Sequence, residues 1–130
     1  MMEKFVSEII RIYLKLMCPG IDDTKYLGLG KNYVIRAQST AGAWIELPLS
    51  TKFELPSIPS KHIWDGLLAN VNGKHVIDIL AYTEGKEFQT IELASALDDY
   101  PEKIVDFEFF QFPKENDELA RILKLKKIGT

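Results

Sequence analysis

Across 130 residues the chain is 46% hydrophobic and 27% charged, with a formal net charge of −3; this is the balance of a folded domain and excludes a disordered or fibrous chain. That length is enough to bury a core without disulfides, metal or a partner chain, so one domain over 1–130 is expected. The lone Cys18 excludes an internal disulfide framework and any thiolate cluster for zinc or iron–sulfur binding, and fits a reducing, cytoplasmic compartment.

Phe5 to Met17 is largely apolar, but Glu8, Arg11 and Lys15 interrupt it. It lacks the unbroken apolar core of a secretory signal and is too short to span a bilayer; Lys15, Leu16 and Met17 are also unlike the small residues that precede a lipidated cysteine. A soluble, unprocessed chain with no membrane role is the expectation. Lys4, Glu8, Arg11 and Lys15 fall on one helical stripe and Phe5, Ile9, Ile12, Tyr13 and Leu16 on another, which predicts an amphipathic helix ended by Pro19 and Gly20.

A loop composition holds from 19 to 32. Tyr33, Ile35 and Ala37 then alternate with Arg36 and Gln38, and Ala43, Ile45, Leu47 and Leu49 with Glu46, around a turn near Thr40 to Gly42; the period of two predicts a half-buried hairpin. Pro48, Pro56 and Pro59 predict an edge strand running into a loop beyond it. Residues 60–73 fit two structures. Ile63, Trp64, Leu67, Leu68 and Val71 fit a helix between Ser60 and Gly73, whereas Trp64, Gly66 and Leu68 could pair with Ala81, Ile79 and Ile77 across an Asn72–Gly73 turn, the slightly favoured option.

Lys74 to Thr83 and Lys86 to Ala94 predict a hairpin, and a three-residue loop would set Ile77 opposite Leu93 and Ile79 opposite Ile91. Between Ile104 and Phe112, Val105, Phe107 and Phe109 fall on one side and Asp106, Glu108, Phe110 and Phe112 on the other. Asn116 then caps an expected helix, with Asp117 and Glu118 in its first turn and Lys124, Lys126 and Lys127 at its end. The whole is an α+β fold: an antiparallel sheet of about five strands, built of hairpins, with an N-terminal and a C-terminal helix. Right-handed parallel crossovers have no room, which argues against a doubly wound nucleotide fold.

Motifs for chemistry are scarce. Gly28-Leu29-Gly30-Lys31 lacks the glycine spacing, the following Ser or Thr and the helix of a phosphate-binding loop. His62 and Asp65 have the spacing of a base and its orienting carboxylate but no third partner, and His75 near Ser95 lacks a nucleophile elbow. Cys18, at a helix C-terminus, is badly placed to be a thiolate. Trp44 and Trp64 read as core or rim anchors. A pI near 5.4 disfavours nucleic acid, the basic end near Arg121 being explained by a helix terminus. No catalytic residue, metal ligand or cofactor is expected.

Charge is nevertheless segregated. From 98 to 118 eight acidic residues stand against Lys103 and Lys114, a net −6 that leaves +3 on the rest of the chain. Interleaved with four phenylalanines, these acids predict a non-enzymatic protein-binding module whose acidic and aromatic surface masks a basic partner, as an immunity protein or an antitoxin does. The expected contact residues are Asp106, Glu108, Phe110, Phe112, Asp98, Asp99 and Glu102. The alternative is a small enzyme or small-molecule-binding domain with Asp78, Glu92 and His75 in a pocket, since paired carboxylates in apolar strands can perform acid–base work.

Overall fold

A computed structural model of the chain describes residues 2–22, 33–47, 63–84, 87–96, 99–111 and 126–128. Among these residues one helix, α1 (Met2–Met17), lies against an antiparallel sheet of seven strands: β1 (Val34–Ser39), β2 (Gly42–Glu46), β3 (Ile63–Val71), β4 (His75–Glu84), β5 (Glu87–Ser95), β6 (Phe107–Gln111) and β7 (Lys126–Ile128), in the spatial order β1-β2-β5-β4-β3-β6-β7. The α+β class and the N-terminal helix stand as expected. Seven strands replace about five because 63–71 is a strand and because a short strand occupies 126–128, where the end of a C-terminal helix was expected. The rest of that helix, the segment 48–60 and the Gly28–Lys31 turn lie outside the described residues. Among the described residues no helix is long and apolar enough to cross a membrane.

α1 buries Phe5, Val6, Ile9, Ile10, Ile12, Tyr13, Leu14 and Met17, while Lys4 and Lys15 stay exposed and Arg11 pairs with Glu8 one turn back. Past the helix, Cys18 N–H donates to Leu14 at 2.8 Å and Gly20 takes φ +85°, the left-handed ending that the sequence announces. The sheet face beneath α1 is made of Ala43 and Ile45, Leu67, Ala69 and Val71, Ile77, Ile79 and Ala81, Ile91 and Leu93, and Phe109, all buried. Phe5 meets Phe107 edge-on at 5.1 Å and stacks on Phe109 at 5.6 Å; Tyr13 meets Phe88 at 6.5 Å and donates its hydroxyl proton to the Ile79 carbonyl.

The register shifts at three bulges, two of which keep apolar side chains on that face. In β3 the register slips between Trp64, opposite Ala81, and Leu67, opposite Ile79, with Gly66 at φ +93°. Trp64 and Leu67 are three apart, which in a regular strand would send them to opposite faces; the extra residue lets both be buried. In consequence Leu67 and Ala69, rather than Gly66 and Leu68, oppose Ile79 and Ile77. A second bulge between β4 and β5 sets Tyr82 opposite Thr90 but Thr83 opposite Phe88, so Phe88 and Ile91 share the core face. It corrects the expected register by two residues: Ile79 lies opposite Leu93 and Ile77 opposite Ser95. The third bulge, at Arg36 in β1, lies on a strand that is exposed throughout, so the first hairpin is buried along β2 and not along β1.

The β3–β4 turn is the Asn72–Gly73 turn, with φ of 58° and 67° and a Lys74 N–H bond to the Val71 carbonyl. Asn72 also holds the connection from β5 to β6. Its Oδ1 accepts from the N–H groups of Val105 (2.7 Å) and Asp106 (3.1 Å), and its Nδ2 donates to the Lys103 carbonyl at 2.8 Å. The same connection donates from Tyr100 N–H to the Thr40 carbonyl, and its Asp99 carbonyl accepts from His75 Nδ1 at 2.6 Å. Held this way, 103–106 is not part of the strand, and Val105 is 61% exposed instead of lying beside Phe107 and Phe109.

Gly42 sits where β2 passes β5. A Cβ there would lie 1.9 Å from the Leu93 carbonyl oxygen, with φ at +151°. Gly42→Ala is therefore expected to cost about 3 kcal/mol in chemical denaturation, whereas Gly73→Ala, which meets open space at φ +67°, costs about 1 kcal/mol. Burial raises the hydroxyl pKa of Tyr13 well above its ordinary value and that of Tyr100 from 10.0 to about 12. Both tyrosines are neutral in folded and unfolded chains below pH 10, where their contribution is complete. Above it the unfolded chain gives up protons first, so stability falls as pH rises from about 10 through 12. Denaturation midpoints across that range should decline less steeply in Tyr100→Phe.

Candidate protein-binding face

Alternation that turns one set of side chains toward α1 turns the other set away from it. Reading across the paired strands, one outward row runs Trp44, Glu92, Leu80 and the next Glu46, Thr90, Tyr82; on the other side of the first lies Ala94, Asp78, Leu68, Phe110. Glu108 continues the face on β6, opposite Asn70. Asp78 and Glu108 are exposed, and Glu92, Phe110, Leu68, Leu80 and Tyr82 are half-buried.

Four expected residues thus share one face. Glu108 and Phe110, from the acidic segment, stand on the same outward surface as Asp78 and Glu92, which the alternative reading had set apart in a pocket. Three others do not join them. Asp99, Glu102 and Asp106 lie on the connection at the end of the sheet, all exposed, and Asp106 Oδ1 accepts from the Phe107 N–H at 2.9 Å. Asp98, Phe112 and His62 lie outside the described residues.

Nor do Asp78, Glu92 and His75 converge. Asp78 is opposite Ala94 and Glu92 opposite Leu80, a diagonal placement, while His75 is an odd number of positions from Asp78 along an unbulged stretch of β4 and is tied to the Asp99 carbonyl. That last contact needs the tautomer protonated at Nδ1. Among the described residues no group of three or more His, Cys, Asp or Glu could hold a metal ion. Cys18 is buried and its thiol pKa is raised by that burial, the opposite of an activated nucleophile.

The sequence reading took Trp44 as a core or rim anchor and passed over Tyr82. Their rings meet across β5 at 5.1 Å with a 41° tilt, and the Tyr82 hydroxyl donates to Glu92 Oε1 at 2.7 Å. The hydrogen bond to Glu92, followed by burial and the carboxylate's charge, raises the Tyr82 pKa above its ordinary value. Beside them Arg36 pairs with Glu46. The signal was present: Trp44 is the outward residue between Ala43 and Ile45, as Tyr82 is between Ala81 and Thr83.

Compared with protein-family models, with curated proteins and with solved structures, the chain matches none. If Glu92 sets the ionisation of Tyr82, Glu92→Gln removes the negative charge and lowers the Tyr82 pKa. A pH titration of the Tyr82 ring carbon that bears the hydroxyl, followed by NMR, should show that downward shift; an unchanged midpoint would mean that burial alone sets it.

Proposed function

We propose that this chain is a non-enzymatic protein-binding module whose acidic and aromatic sheet face masks a basic surface on a partner protein, in the manner of an immunity protein or an antitoxin. The observation that carries this reading is the shared orientation of Glu46, Asp78, Glu92 and Glu108 with Trp44, Tyr82 and Phe110 on the face turned away from α1. Aromatic rings supply contact area at low entropic cost, and carboxylates steer a cationic partner and fix its register. Seven strands at their usual spacing span roughly 29 Å, wide enough for the patch of about 800 Å² per partner that a standard interface uses.

The exposed acids Asp99, Glu102 and Asp106 extend the negative field past the end of the sheet, where they act on encounter rates more than on close contact. An exposed Asp78 fits such a surface better than it fits a closed acid–base pocket, which would bury paired carboxylates. The reading also places the protein in the cytoplasm, where a single thiol such as Cys18 stays reduced.

An affinity capture from the source organism's lysate at low and high salt tests it. The folded chain should retain one basic protein in stoichiometric amount at low salt and release it at high salt. Glu108→Lys combined with Phe110→Ala should weaken capture at least about tenfold, as expected for loss of an interfacial charge and an aromatic anchor. A folded bait that retains nothing, or a partner held equally by that variant, overturns the proposal.

A further inference from the structure

Glu92, Trp44 and Tyr82 combine two aromatic faces with a carboxylate in one place. Trp44 is directly opposite Glu92 in the β2–β5 pairing, and the Trp44 and Tyr82 rings meet over β5 beside it. Trp44 is 37% exposed, so its ring is open to a ligand. A groove of about 240 Å³ runs along Trp44 and Glu92, with Gly42, Ala94 and Gln38 among its lining residues. Glu92 receives the Tyr82 hydroxyl proton on Oε1 at 2.7 Å, which leaves Oε2 as the oxygen for a second donor. Two residues along β2, Glu46 already pairs with the guanidinium of Arg36, so a carboxylate of this face holds that group within the fold itself.

We propose that Trp44, Tyr82 and Glu92 form a receptacle for one arginine side chain, the anchor that the basic partner inserts. The assignment rests on the reading of this face as a protein-binding surface and adds to it the residue recognised. A guanidinium is planar, weakly hydrated and forked: its face stacks on the Trp44 indole and its edge donates to Glu92 Oε2. The Tyr82 hydroxyl orients the carboxylate for that contact. A lysine ammonium would satisfy the charge without the stacking, and an aliphatic side chain would leave Glu92 unanswered.

Arginine amide titrated into the ¹⁵N-labelled protein tests the site directly. Trp44→Phe assigns the Trp44 indole N–H against that of Trp64. That resonance should shift and saturate with a dissociation constant on the order of 10 mM, while citrulline amide, the uncharged isostere, should leave it in place. Glu92→Gln should weaken the response at least about fivefold with the remaining spectrum intact. An equal response to citrulline amide, a response unchanged in Glu92→Gln, or none at all overturns the receptacle. Because the probe is a small cation, such a failure is distinct from failure of the interaction itself, which the Glu108 and Phe110 variant reports at the other side of the face.

Discussion

The strands beneath α1, β2 to β6, have to turn their apolar residues toward the same face, and the rest of the structure follows from how that demand is met. A one-residue slip anywhere in the sheet would carry a whole strand's apolar set out of the core. In β3 and β5 the apolar residues are not evenly spaced: Trp64 and Leu67, and likewise Phe88 and Ile91, are three apart. The bulges at these points absorb the odd residue, so burial under α1 wins over regular hydrogen bonding. Gly66 at φ +93° shows where the backbone accommodates the extra residue in β3.

The opposite face inherits its composition from the same rule. Positions that alternate away from the helix are released from packing, and here they hold carboxylates and rings in adjoining rows. A second constraint acts at the end of the sheet, where the path from β5 to β6 must pass β4 and β3. Asn72 meets it by supplying both acceptor and donor to 103–106, and His75 and Thr40 add a bond each farther back along the path. The most acidic described stretch is thereby fixed by neutral hydrogen bonds, and its carboxylates are left to face outward.

Local code made part of this legible. The stripe of Lys4, Glu8, Arg11 and Lys15 gave α1, and Asn72–Gly73 gave its hairpin, because helix periodicity and left-handed turns are properties of neighbouring residues. The segment 60–73 stayed ambiguous for a physical reason: a bulge in a buried strand produces the i, i+3 spacing of a helix, as Trp64 and Leu67 do. The β4–β5 register was displaced for the same reason at Phe88. Pairing of β2 with β5 and of β3 with β6 joins residues more than thirty positions apart, for which no local signal exists. The candidate site suffered likewise. Read linearly, Asp99, Glu102, Asp106, Glu108 and Phe110 form one acidic run, but the chain turns from sheet end to sheet face at Phe107, so Glu108 and Phe110 belong with Asp78 and Glu92 instead.

Asn72 and Gly73 also form the dipeptide whose amide most readily cyclises onto the following backbone nitrogen and loses ammonia. In this fold the reacting side chain is tethered at both its oxygen and its nitrogen, which restrains its rotation. Were the amide converted to a carboxylate, the group now donating to the Lys103 carbonyl would become a second acceptor pointed at it, adding charge to an already acidic rim. The hydrogen bonds that fix the turn against the β5–β6 connection are thus the same ones that such a conversion would disturb.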